Sequence, residues 1–258
     1  PDYNLLVKAV GNKYAKRIVS GEYLRVDYLA EAVPSKIELL KQIYKERYES
    51  IDRDFAKIVP GVTKNSDLES RATVMRPERI RTPADYVFQR GDLVQIDARY
   101  AYVLREGETE LPPELKKIWA DSWKIRKVLE DNIKVGRTAG ETYEILKQKL
   151  AKVGIIANDR QLYYKDLDPE KTQVGLDCHG LEEDPYPARI GPFGPDWMRD
   201  WTIPPVHHFT TEYFVYMALP SAKHEVKYLN LWFHNPAYVT ERGVEYISPP
   251  QKETYFIQ

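Results

Sequence analysis

The sequence predicts an α+β fold. Helical periodicity dominates the first half of the chain, and almost every extended segment after residue 200 is β-like. Two short β-rich runs, 93–97 and 99–104, lie between the first two long helical patterns.

The first long helix opens at Pro34-Ser35. Ile37, Leu40, Tyr44, Tyr48, Ile51 and Phe55 recur at intervals of three or four, which is one face of a 3.6-residue period, and Pro60-Gly61 stops it. A second opens at Pro112-Pro113, carries Leu115, Ile118, Ser122, Ile125, Leu129 and Ile133 on one stripe, and ends at Gly136. A third follows at once: Thr138 with Glu141 is a capping-box spacing, and Gly154 is the C-terminal stop. Strands are expected at 208–219, 226–233, 238–240, 244–248 and 254–257, with a Pro- and Gly-rich loop at 184–205. No internal repeat or low-complexity segment stands out.

The 258 residues carry 38 Lys+Arg against 39 Asp+Glu, a formal net charge of -1. That balance disfavours a nucleic-acid partner, which calls for a basic excess or stripe. No run approaches the roughly 18 apolar residues of a membrane span, so no membrane role is expected. The single cysteine, Cys178, excludes an internal disulfide framework and a Cys-rich zinc site, and is compatible with a cytoplasmic setting. The chain given begins at Pro1 with no basic, then apolar, leader, and without Met, which reads as a processed form, a fragment or a partial record.

Nucleophile signatures are absent: no Gly-x-Ser-x-Gly elbow, no phosphate loop and no Gly-x-Gly-x-x-Gly after a strand. Cys178 and His179 are neighbours on a predicted strand, so they face opposite ways and do not make a nucleophile pair. Glu212 sits inside the apolar run 209–215. A carboxylate buried there must be ion-paired, hydrogen-bonded or bound to metal. His234, in the run 231–236, poses the same choice between a core histidine and a ligand. His207-His208 is a weak metal signal, because neighbouring side chains diverge. Asp97, at the end of an apolar strand, is by itself a turn residue.

Taken in order, these pieces resemble the creatinase/prolidase superfamily of Xaa-Pro peptidases, also called the pita-bread fold, and its bacterial Xaa-Pro aminopeptidase-like branch most. The residues that carry the resemblance are Gly91 to Asp97, Ala101 to Thr109, Gly136-Arg137-Thr138, Cys178-His179-Gly180, Phe209 to Glu212, Tyr238 to Ile247, and Gln251 to Thr254. The resemblance implies a curved antiparallel sheet backed by long helices. It also implies two divalent ions (Mn, Co or Zn) held by Asp, Asp, His, Glu and Glu, and hydrolysis of an amide bond in a peptide or small amide. Asp97 matches the first Asp and Glu212 the first Glu. His179 matches either the ligand His or a substrate-binding, catalytic His. His234 falls where the last Glu belongs. The second Asp has no match, since Ala98 runs straight into Arg99, and Glu108 belongs to the loop 105–108 and is no substitute. The resemblance further implies a homodimer. Residues 1–32 are expected to be a lead-in, the remnant of an N-terminal domain or a linker from one, and 33–258 the catalytic-type domain. The alternative is a catalytically inactive homologue that binds a partner through exposed aromatics among Trp197, Trp201 and Tyr213.

Overall fold

The computed structural model describes residues 3–76, 81–158, 170–181, 187–219 and 228–258. In chain order the elements are α1 (Tyr3–Val10), α2 (Asn12–Ala15), α3 (Glu22–Ala30), α4 (Pro34–Lys57), β1 (Thr73–Val74), β2 (Leu93–Ile96), β3 (Arg99–Val103), α5 (Pro113–Asn132) and α6 (Ala139–Lys152). There follow β4 (Ile156–Ala157), β5 (Gln173–Leu176), β6 (Cys178–Gly180), β7 (Arg189–Ile190), β8 (His208–Ala218), β9 (Tyr228–Thr240), β10 (Gly243–Tyr246) and β11 (Tyr255–Ile257). The α+β expectation holds. The antiparallel expectation holds only in part. The strands form two sheets, one ordered β1-β2-β3-β11 and one ordered β10-β9-β8-β5-β4, with β6 pairing β7 and β8. Two pairings are parallel, β11 with β3 and β4 with β5.

The three helical patterns fold where their stripes and caps place them. In α4, Ile37, Tyr48, Ile51 and Phe55 are buried. Tyr48, Ile51 and Phe55 share a core with Val94, Ile96, Ala101, Val103 and Ile257 of the smaller sheet. At the start of α6 the capping box is formed: Glu141 N donates to Thr138 Oγ1 at 3.1 Å and Thr138 N donates to Glu141 Oε2 at 3.4 Å. The main core lies between α5, α6 and the larger sheet and also takes in Val26 and Ala30 of α3. Trp201 Nε1 donates to Asp27 Oδ1 at 2.9 Å, so α3 is tied to that core by a polar contact as well.

Several differences from the sequence reading have local causes. β9 runs as one strand through Pro236, where two strands were expected. The Pro236 carbonyl accepts from Ile247 N at 2.9 Å on the side away from β8. The missing N–H faces that side too, so the β8–β9 ladder is intact. The loop 184–205 contains β7 and a short 3-10 helix, Asp196–Asp200. Trp201 and Tyr213 are not exposed partner aromatics. Both are buried in the main core, and Trp197 is half-buried. His207 and His208 do not diverge: the Nδ1 atoms of both donate to the Ala30 carbonyl, at 3.2 and 3.1 Å. His207 precedes β8 and follows Val206, whose φ of 55 turns the chain out of strand geometry, so the alternation rule does not reach it. The expected strand start at 226–227 and residues 184–186 of the expected loop lie outside the described residues.

Candidate metal site

Three adjacent strands, β6, β8 and β9, present their side chains to one point. Glu212 of β8 pairs in register with His234 of β9, and His179 of β6 pairs with Thr210, two residues before Glu212. Side chains two apart on a strand share a face, so His179, Glu212, His234 and Trp232 stand together. One donor atom from each of His179, Glu212 and His234 lies within 4.8 Å of the other two. This convergence is absent from the linear sequence, where the three are spread over 55 residues and separated by loops.

Proton bookkeeping at His179 is informative. Its Nδ1 lies 2.8 Å from the Gly180 carbonyl, which can only accept, so Nδ1 carries a hydrogen. Its Nε2 lies 2.7 Å from Oε2 of Glu212. A neutral imidazole would turn a lone pair toward a carboxylate there, so a proton or another cation must sit between the two atoms. Burial works against the charge of His179, but the hydrogen bonds to Glu212 and Gly180 and the nearby carboxylates outweigh it and raise its pKa. His234 goes the other way. Burial lowers its pKa despite the opposing charges of Glu212 and Asp97, so its ring is neutral and has a lone pair to offer. Beside the cluster, burial raises the Asp177 pKa to about 6, against the pull of Arg189, whose Nη1 lies 3.1 Å from the carboxylate.

The other oxygen of Glu212 is also committed. Trp232 Nε1 donates to Oε1 at 2.6 Å. The Trp232 carbonyl in turn accepts from Tyr100 Oη at 2.5 Å and from Gln95 Nε2 at 3.1 Å. Gln95 Nε2 also donates to the Asp97 carbonyl at 2.7 Å. The two sheets thus meet at Trp232, and the smaller sheet delivers Asp97 to the edge of the cluster.

Asp97 is the first residue of the two-residue turn that joins β2 to β3, since Ile96 pairs with Arg99. Its φ of 53 is left-handed, a region that Asp tolerates better than most residues. Its carboxylate is held by Arg47 of α4, with Nε 2.5 Å from Oδ2. No residue intervenes in this turn to supply a second Asp. Glu108 accepts from Tyr102 Oη and from Arg105 N, both at 2.9 Å, and so holds its own loop together.

The residues present do not fit a two-ion centre. Against the ligand set that the resemblance implies, Asp97 is paired with Arg47, the second Asp has no match, an imidazole, His234, stands at the position matched to the last Glu, and Glu212 has one oxygen bonded to Trp232. They do fit one ion: two imidazoles and one carboxylate are the donor chemistry of a single zinc-like or iron-like centre with open positions. Cys178, buried behind His179, has its thiol pKa pushed up by burial and takes no part. Sequence reasoning missed Arg47 and Trp232. Strand alternation from His234 could have found Trp232. Arg47, in the charged run 45–47 on an exposed helix face, carries no local signal.

No protein-family profile matches the chain, and no curated protein matches it. Solved structures do. An X-Pro aminopeptidase from Thermotoga maritima superposes with a TM-score of 0.62 at 14% identity, covering 90% of this chain and 66% of that one. An Xaa-Pro dipeptidase from Bacillus anthracis gives 0.58 at 18%, covering 93% and 67%. A methionine aminopeptidase from Thermotoga maritima gives 0.51 at 19%, covering 84% of this chain and 97% of that one. The chain spans about two thirds of the Xaa-Pro structures and nearly all of the methionine aminopeptidase. At these identities the likeness establishes the fold, which is the pita-bread fold. No helix among the described residues is long and apolar enough to cross a membrane.

Proposed function

We propose that the chain binds one divalent transition-metal ion through His179, Glu212 and His234 and, so loaded, hydrolyses an amide bond of a peptide or small amide. The observation that carries this reading is the convergence of two imidazoles and a carboxylate on one face of β6, β8 and β9 in a peptidase-type fold. When bound, such an ion supplies Lewis acidity to a carbonyl oxygen and makes a water molecule more acidic. The chain does the rest. His234 is already neutral and needs no proton removed. Trp232 holds one oxygen of Glu212 and aims the other at His179. The proton between His179 and Glu212 leaves when an ion enters. Mn, Co and Zn are the candidates.

The test is metal content after purification together with cleavage of Xaa-Pro peptides. Stoichiometric Mn, Co or Zn with cleavage supports the reading. Trace metal only, with no cleavage after metal addition, removes it. One observation favours a second reading, an inactive homologue that binds a partner: the Arg47–Asp97 ion pair closes a carboxylate that a two-ion peptidase would need. That reading predicts a folded chain that takes up no ion.

A further inference from the structure

The sheet face that carries the cluster continues past it. Gly175, Phe214 and Trp232 pair in register across β5, β8 and β9, and Gln173, Tyr216 and Asn230 form the next row. Phe214 lies two residues beyond Glu212 and Trp232 two before His234, so both rings stand on the cluster's side of the sheet. Their neighbours Tyr213, Val215, Leu231 and Phe233 point the other way and are buried in the main core. Phe214 and Trp232 are half-buried, and neither is packed in any of the apolar cores among the described residues. The Trp232 ring leans on His234, with centroids 5.4 Å apart. Phe214 leans the other way, over Gly175, and its Cδ2 lies 4.0 Å from the place a Cβ there would occupy. Rings held off the core in this way keep apolar area in water, which an apolar group of a ligand can remove. Asn230, one row further, is only 3% exposed, and neither its Nδ2 nor its Oδ1 finds a hydrogen-bond partner among the described residues. A buried amide with donor and acceptor both unused is costly and calls for an explanation. A peptide group, with one C=O and one N–H, supplies both partners.

We propose that this face seats an extended peptide: Phe214 and Trp232 receive a large apolar side chain beside the amide bond to be cut, and the Asn230 amide bonds the peptide backbone beyond it. The substrate class is then an oligopeptide rather than a dipeptide. The proposal rests on the amide-hydrolysis reading above. Its scale follows from the strand. Rows two residues apart are separated by about 6.6 Å, so Asn230 lies about 13 Å along β9 from His234, with the aromatic row midway. An extended peptide covers that length in about four residues. A dipeptide, about 7 Å long, reaches the rings and not the amide. Because Asn230 is covered, a peptide reaches it only by displacing a neighbouring side chain.

Isothermal titration of the full chain, as purified and with EDTA added to stop cleavage, tests this. The probes are pentaalanine, the same peptide with one Phe at each position in turn, and the dipeptides Ala-Phe and Phe-Ala. The best Phe pentapeptide is expected to bind at least roughly tenfold more tightly than pentaalanine and than either dipeptide. Phe214→Ala is expected to remove the preference for Phe. Asn230→Leu is expected to weaken the pentapeptides roughly tenfold, to leave the dipeptides unchanged, and to keep or raise the urea midpoint, because an unpaired amide is lost. Equal binding of pentaalanine and every Phe peptide, a comparison that needs no variant, overturns the apolar subsite. So does a Phe preference that survives in Phe214→Ala. Dipeptides that bind as tightly as the pentapeptides, or a lowered urea midpoint in Asn230→Leu, overturn the role of Asn230. Titration with ZnCl2 separates the proposal from the reading above. Zinc uptake with no peptide binding overturns the peptide seat and leaves the one-ion reading in place. Peptide binding in the expected pattern with no zinc uptake overturns the one-ion reading and leaves the peptide seat in place.

Discussion

Trp232 holds Glu212 by an indole N–H to carboxylate bond of 2.6 Å, while its own carbonyl is gripped by Tyr100 and Gln95 of the other sheet. One residue thus fixes a site carboxylate and joins the two sheets. Trp232→Phe keeps the ring and removes the donor. The variant is expected to lose about 1–3 kcal/mol of stability, because the hydrogen bond goes to a charged, largely buried oxygen. It is also expected to bind metal roughly ten- to a hundredfold more weakly, since the orientation of Glu212 is released. Urea unfolding and metal titration read the two losses separately.

If the cluster takes up an ion as proposed, the proton between His179 Nε2 and Glu212 Oε2 is expected to make that uptake pH-dependent. The His179 pKa is raised, so below that value the proton must be displaced by the ion. Apparent affinity should rise with pH and level off above it. Titrations in buffers of different ionisation enthalpy should show about one proton released per ion. His179→Ala should weaken binding and remove the release.

His207 predicts an acid limb of stability. Burial, with the neighbouring His208, lowers its pKa to about 3, against an ordinary value near 6.5. Between these values the unfolded chain binds a proton that the folded chain refuses. Stability therefore falls as pH drops below about 6.5, by up to about 1.4 kcal/mol per unit for one group. Asp177 opposes this between its ordinary value and about 6, where the folded chain holds a proton that the unfolded chain has released. His207→Asn is expected to be less stable at neutral pH but to show a flatter acid limb. Denaturant midpoints of both proteins from pH 4 to 7 give the difference, in which the Asp177 contribution cancels.

Phe233 lies at the centre of the aromatic core, with ring centroids 4.9 Å from Tyr213, 5.3 Å from Tyr100 and 5.8 Å from Trp119. Phe233→Ala should cost roughly 3–5 kcal/mol, because a cavity there cannot collapse against two strands and a helix. Because Phe233 lies between Trp232 and His234, metal binding should weaken in the same variant. Denaturant unfolding and titration check the two effects.

The long helices were legible because each carries its own start, stripe and stop: Pro34, Pro112-Pro113 and the Thr138–Glu141 box, with the apolar periods behind them. The long strand β8 was legible from β-rich composition, and β9 was read as two strands broken at Pro236. The short strands β4 to β7 were missed, except that β6 was read around Cys178-His179. Strands of two to four residues have no period to detect; β5 and β6 pair with β8, and β4 and β7 pair in turn with β5 and β6. The helices α1 to α3 were missed as well. Of these, α3 buries only Val26 and Ala30, too few positions to mark a stripe.

Of the site, the residue types were visible in the sequence and their roles were not. Glu212 stood out because a carboxylate inside an apolar strand needs a partner, His234 because an imidazole in an apolar run is either a core histidine or a ligand, and His179 through the resemblance of Cys178-His179-Gly180 to the family's His motif. Chemistry of that kind depends only on side-chain identity and on the burial that a strand pattern implies. Tertiary structure alone decided which partner each one took. It set His179 and His234 on either side of Glu212, brought Trp232 onto its other oxygen, and brought Arg47 from a helix 50 residues away onto Asp97. Those contacts are long-range, made across sheets and between a helix and a turn. Hydrogen bonds and ion pairs act over a few ångströms of space, whatever the distance along the chain. The sequence determined a peptidase-like order of residues. The fold decided that His179, Glu212 and His234 converge and that Asp97 pairs with Arg47.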